Sequence, residues 1–131
     1  MIMKKKEFEY KGMNLKELQT LEVREFARYA PSRQRRTILR NFQKIEEFVN
    51  KSKIKLGKGK KIKIHQRDIV VVPEMVGMRI SIYNGQTFIP VEIVGEMLGH
   101  KIGEFALTRS RVKHGSAGVG STKGTKHKSK K

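Results

Sequence analysis

Met78-Arg79-Ile80-Ser81-Ile82-Tyr83, Asn84-Gly85, and Gln86-Thr87-Phe88-Ile89-Pro90-Val91-Glu92-Ile93 together form the stretch whose reading decides the fold. In the first arm Met78, Ile80 and Ile82 alternate with Arg79, Ser81 and Tyr83, the period of a half-buried strand. Asn-Gly between two such runs is the strongest short-range hairpin signal, because a type I′ turn needs φ > 0 at both central residues. The return arm runs from Thr87 to Ile93. Pro90 has no N–H to give to a ladder, so that arm must have an exposed edge or a bulge. Upstream, the apolar run Ile69-Val70-Val71-Val72, closed by Pro73, reads as a further strand. The centre of the chain is β.

Outward from it the period changes. Asn14-Leu15-Lys16-Glu17 has the form of a capping box opening a short helix, with Leu15, Leu18 and Leu21 on its apolar side. Thr20 can restart the helix, carrying Val23, Phe26 and Ala30 until Pro31 stops it. Ser32 can then cap a third helix from Arg33 to about Asn50. There Ile38, Phe42, Ile45 and Val49 recur at helical spacing, and so do Arg33, Arg36, Arg40 and Lys44. At about 100° per residue the two sets fall on opposite faces. Residues 51–64 alternate Lys with apolar residues or Gly, which suggests a basic loop joining extended arms. Beyond the hairpin, Gly95 to Gly99 reads as one helical turn and His100 to Phe105 as a compact elbow. From Gly115 the chain is Gly, Ser, Thr and Lys with little to bury, so it should stay disordered until something charged holds it. The expected fold is α+β. N-terminal helices pack on a small sheet with a central Asn-Gly hairpin, all within one domain over 1–114, and a flexible basic tail follows over 115–131.

Charge decides the partner. Lys+Arg number 30 and Asp+Glu 12, a formal charge of +18 on 131 residues. Self-repulsion on that scale destabilises a compact chain unless a polyanion neutralises it. The excess is also clustered. Six basic residues separate Glu25 from Glu46, eight separate Glu47 from Asp68, and eight follow Glu104 with no acid among them. A solvated surface mixes signs; three acid-free blocks in one small chain point to nucleic acid. The helix over 33–50 could alternatively lie on a membrane or bind a protein partner. Its narrow apolar stripe and the apolar body elsewhere in the chain favour core packing with a polyanion on the far side.

Other classes find little support. Cysteine is absent, which removes disulfides, thiol nucleophiles and cysteine metal sites. No apolar run approaches the roughly 18 residues of a membrane span. Met1–Lys6 leads into Glu7-Phe8-Glu9 rather than the apolar region of a signal peptide. The four histidines have no metal-site spacing, and Gly115 to Gly120 has a phosphate loop's interval but Ser121 where the lysine is needed. No catalysis and no cofactor are expected. With no Trp, three Tyr and six Phe, the chain is thin for a base-stacking platform, so backbone and shape recognition of folded nucleic acid is the expected mode.

Pro73-Glu74-Met75-Val76-Gly77, Tyr83-Asn84-Gly85, Pro90-Val91-Glu92-Ile93 and above all Glu96-Met97-Leu98-Gly99-His100-Lys101-Ile102-Gly103-Glu104-Phe105-Ala106-Leu107-Thr108-Arg109 closely resemble the small-subunit ribosomal protein S-nineteen family. Ser32-Arg33-Gln34-Arg35-Arg36 looks like its longer archaeal and eukaryotic branch. The resemblance implies a structural protein that binds small-subunit ribosomal RNA in the 3′ domain of the head, in the cytoplasm. It implies ribosomal protein S-thirteen as a neighbour, large-subunit RNA at an intersubunit contact, and tRNA sites within reach of the tail. Where bacterial members carry a Ser-Arg-Arg-Ser run, this chain has His65-Gln66-Arg67-Asp68, so only Arg67 carries the charge forward, with Lys51 to Lys63 as a compensating block.

The planar fork of arginine suits phosphate, so Arg33, Arg35, Arg36, Arg40, Arg109 and Arg111 are the favoured RNA contacts. Lys44, Lys58, Lys60, Lys61, Lys63, Arg67, Lys113 and His114 complete the basic set. His100, Lys101 and Thr108 join it from the family's elbow, with His100 equally readable as a packing residue. Gly99, Gly103 and Phe105 read as shaping the fold.

Overall fold

Ile80 and Ile82 lie on the buried face of a three-stranded sheet that fixes everything around it. A computed structural model describes residues 7–113, 115–119 and 121–127. In it β1 (Glu9–Tyr10) and β2 (Met13–Asn14) form a small hairpin. Three helices follow, α1 (Leu15–Thr20), α2 (Val23–Phe26) and α3 (Ser32–Gly57). The main sheet has the order β3 (Ile62–Ile64), β4 (Arg79–Tyr83), β5 (Phe88–Glu92). The fold is α+β, as the sequence indicates.

Register follows hydrophobicity. Ile62 and Ile64 pair in parallel with Ile80 and Ile82, and these pair antiparallel with Val91 and Ile89, so six branched apolar residues share one face. Leu18, Phe26, Ile38, Ile45 and Val49 from the helices join this core, with Ile69 to Val72 and Ile102 from the connecting segments. Pro90 lies opposite Ser81 on the edge strand β5, where a missing N–H is tolerated.

Several local expectations are corrected. The hairpin forms, but Asn84-Gly85 is not its central pair: Tyr83 pairs with Phe88 and Asn84 N–H donates to the Thr87 carbonyl (3.0 Å), so the loop over 84–87 turns at Gly85-Gln86. Asn84 acts through its side chain, its Oδ1 accepting the N–H groups of Gln86 (2.9 Å) and Thr87 (2.7 Å), and Gly85 takes the positive φ of 97°. Ile69 to Val72 is buried but is not a strand. Its one bridge joins Val70 to Lys101, because its partner is a short 3₁₀ turn (Ile102–Phe105) too curved to offer a ladder. Pro31 occupies the cap position of α3, and Ser32 is the first helical residue. Thr20 closes α1, its hydroxyl donating to the Glu17 carbonyl at 2.7 Å, and Glu22 caps α2.

The largest correction is the length of α3, which runs to Gly57 through half of the expected basic loop. Lys60 N–H donates to the Lys55 carbonyl (2.9 Å) and Gly59 N–H to the Leu56 carbonyl (3.0 Å), with Gly59 at φ +65°. That is a Schellman motif. Gly59 is thus a helix stop, and only residues 58–61 link α3 to β3. The helix is kinked at Asn41 (φ −116°, ψ 20°).

No described residue after Ala106 is buried, and a 3₁₀ turn at Lys123–Thr125 is the regular element there. The described residues of the basic C-terminal segment therefore contribute nothing to the core. Met1–Lys6, His114, Gly120 and Lys128–Lys131, to which sequence expectations also apply, lie outside the described residues.

The two glycines at the end of α3 should respond in opposite directions. Gly57→Ala, with open space at its Cβ, should stabilise by up to about 1 kcal/mol through helix propensity. Gly59→Ala should destabilise by about 1 kcal/mol because of its left-handed backbone. Urea unfolding of both variants checks this; equal shifts would mean that 51–64 is a loop.

Candidate nucleic-acid interface

The outward side of α3 carries the row expected from its spacing. Arg33, Arg36, Arg40 and Lys44 are exposed, whereas Ile38, Ile45 and Val49 are at most 1 % exposed. Phe42 is half-buried beneath the Arg24 guanidinium, 3.7 Å from its ring centroid. Arg35 departs from the row. Its Nε donates to the Ala27 carbonyl (3.1 Å) and its Nη2 to Arg28 (2.9 Å) and Ala30 (3.5 Å), so it ties the end of α2 to the start of α3.

Further along, the helix meets the sheet. Lys44, Lys51 and Lys55 line a groove of about 230 Å³ with Lys63 and Gln66. Lys63 also lines the next groove, about 580 Å³, with Lys60, Lys61, Arg79, Phe88 and Pro90. The cations of α3 and those of the sheet therefore form one track joined at Lys63. An acid tempers it in one place, where Lys51 pairs with Glu47 at 3.3 Å; away from the track, Lys53 pairs with Glu74. Lys58, the C-cap of α3, is exposed.

The elbow is a separate basic region. Val71 N–H donates to the His100 carbonyl (2.8 Å) and Ile102 N–H to that of Ile69 (2.9 Å), which anchors the 3₁₀ turn to the buried chain. Arg67 locks it. Its Nη1 donates to the Tyr83 carbonyl (2.7 Å) and its Nη2 to those of Gly103 and Ala106, binding the end of β4 to the elbow. A Cβ on Gly103 would lie 2.8 Å from Arg67, which accounts for a glycine there. His100 is exposed, with Nδ1 2.9 Å from Glu104 Oε2, and Lys101 is half-buried. Thr108, Arg109, Arg111 and Lys113 are exposed on the chain that leaves the elbow, and His114 lies outside the described residues.

The expected contacts thus separate. Arg35, although exposed, and Arg67 spend their donors on backbone carbonyls, and the other described contacts stand in two groups, exposed but for the half-buried Lys101. Sequence reasoning missed Arg79 and the side chains on its face of β4, although the alternation of Arg79, Ser81 and Tyr83 with buried isoleucines marks them. It also missed a cluster of His65, Tyr83 and Phe88 rings, with centroids 4.6–5.1 Å apart, on a sheet expected to show few exposed aromatics. Among the described residues no group of three His, Cys, Asp or Glu could hold a metal ion. No helix among them is long and apolar enough to cross a membrane.

A small α+β body that turns a continuous cation track outward is a nucleic-acid-binding protein by its charge and fold. The model of the family Ribosomal protein S19 matches residues 24–114, from α2 through the elbow, and the chain belongs to that family. It is a ribosomal protein of the small subunit that binds ribosomal RNA in translation, within a family that is structural rather than enzymatic.

The division of the arginines is testable by stability. Arg67→Met should cost about 3 kcal/mol and Arg35→Met about 1–2 kcal/mol, because carbonyls lose charged donors. Arg36→Met should stay within about 0.5 kcal/mol of the parent. Urea unfolding at matched salt gives all three values, and a large loss for Arg36→Met would remove the distinction.

Proposed function

We propose that this chain holds the 3′ domain of small-subunit ribosomal RNA in the head of the subunit, in the cytoplasm, as a member of the archaeal and eukaryotic branch of its family. Residues 1–114 act as a single RNA-binding domain and 115–131 as a basic tail. Ribosomal protein S-thirteen is its protein neighbour. Large-subunit RNA meets it at an intersubunit contact, and the tail extends toward the tRNA sites.

The observation that carries this reading is the track that runs from Arg33 along α3 and continues through Lys63 to Arg79. Each cation placed on a phosphate releases condensed counterions, which gives affinity that falls steeply with salt. A rigid helix and sheet hold the charges in fixed relative positions, so the surface matches one folded RNA better than an arbitrary duplex. Arg33, Arg36, Arg40, Arg109 and Arg111 make the positioning contacts, with Lys44, Lys58, Lys60, Lys61, Lys63 and Lys113 supplying further charge. Arg35 and Arg67 act on RNA indirectly, by fixing the α2–α3 junction and the elbow. His100, Lys101 and Thr108 present the elbow to RNA.

A DNA-compacting protein would share the charge but not the preference. Arg36→Glu with Arg40→Glu should weaken binding to a 3′-domain RNA fragment at least tenfold at moderate salt. It should also flatten the slope of log K against log salt by roughly 1–2, with helicity unchanged. Anisotropy titrations against that fragment and a duplex DNA of equal length check both. Equal affinity for the two nucleic acids would favour the architectural reading.

A further inference from the structure

We propose that the outer face of the β3–β4–β5 sheet is a stacking platform for an unpaired nucleotide of ribosomal RNA, a contact of a different kind from the phosphate track. The proposal rests on the reading that the chain binds ribosomal RNA. Strand register builds the platform. Tyr83 is paired with Phe88, and His65 follows Ile64, the partner of Ile82, so the register gathers the three rings into a compact triangle at one end of the sheet. Centroids are 4.6 Å apart for His65 and Tyr83 and 5.1 Å apart for the other two pairs.

The rings lie on the side of the sheet away from its isoleucines. His65 is exposed and Tyr83 and Phe88 are half-buried, so the ring cluster is partly accessible from solvent. They are also held in place. The Tyr83 hydroxyl donates to the Gly85 carbonyl at 2.9 Å, which fixes that ring, and the Lys63 ammonium lies 5.1 Å from the Phe88 centroid.

Charge selects the occupant. The next row on the same face is Lys63, Ser81 and Pro90, and beyond it Arg79 faces Glu92. Two residues of strand rise separate one row from the next by about 7 Å, a distance one nucleotide spans. The groove on this face is lined by Lys60, Lys61, Lys63 and Arg79 and by no acid. Aromatic rings beside a file of cations suit a base on the rings with its phosphates on the lysines, a mode that tolerates any sequence because every base has a π face. A neutral apolar peptide would leave the four cations unmatched.

Phe88→Leu and Tyr83→Leu keep bulk but remove the π face, and Tyr83→Phe keeps it. The full chain is titrated with a short unstructured RNA oligonucleotide and with the folded 3′-domain fragment. Each Leu variant should lose about tenfold in affinity for the oligonucleotide with an unchanged salt slope, and Tyr83→Phe should bind as the parent does. Unchanged oligonucleotide affinity in folded Leu variants overturns the proposal. If those variants also fall off assembled subunits, the face belongs to a neighbouring protein. Should the Leu variants not fold, photocrosslinking of a bromouridine-substituted oligonucleotide to the parent chain decides. Adducts on His65, Tyr83 or Phe88 support the platform, and adducts confined to α3 or the tail overturn it. Failure of the 3′-domain fragment to outcompete duplex DNA counts against the ribosomal reading instead, and leaves the oligonucleotide result legible.

Discussion

Positive charge without enough negative charge to offset it is the constraint on this chain, and the fold is arranged around it. With +18 on 131 residues, cations can neither be buried together nor paired off internally. Helix α3 resolves this locally by giving one face to isoleucine and valine and the other to arginine and lysine. The sheet resolves it in the same way, with isoleucines inward and Lys63 and Arg79 outward. Two arginines, Arg35 at the surface and Arg67 half-buried, are matched to backbone carbonyls rather than to a carboxylate. A carbonyl takes up a guanidinium without using one of the scarce acids, so Arg35 and Arg67 brace the body while the external charge stays available to a polyanion.

That arrangement also explains how closely structure and binding are linked. Arg67 joins the end of β4 to Gly103 and Ala106, and thereby sets where the exposed Thr108, Arg109 and Arg111 begin. Arg35 joins α2 to α3 and sets the direction of the cation row. Lys63 stands where the helix track meets the sheet, lining both grooves. Phosphate contacts of this kind position a protein without reading sequence, and a stacked base beside them would add a local, salt-insensitive component.

Much of this was legible in the sequence, for identifiable reasons. The alternation from Met78 to Tyr83 and the spacing of Ile38, Ile45 and Val49 are two-sided patterns, and both elements formed with the expected faces. What failed were places where one residue type has two physical meanings. Gly57 and Gly59 suggested a loop, yet one is helical and the other is a Schellman stop, a distinction that depends on which carbonyls find partners. Asn84 suggests a turn through its backbone freedom but acts through its side-chain oxygen. Ile69 to Val72 has a strand's composition, but strand identity needs a partner ladder and its neighbour is a 3₁₀ turn. For the site, residue type told which cations could bind phosphate but not that Arg35 and Arg67 are engaged internally. The ring cluster depends on register across three strands, which no local pattern carries.

The central claim is that this charge is matched to one ribosomal site rather than being a general polycation. Sedimentation of cell lysate through sucrose gradients at low and high salt, following the chain by antibody, tests it most directly. The account predicts co-migration with small subunits that survives high salt. Release at modest salt, with recovery in chromatin or membrane fractions, would contradict it.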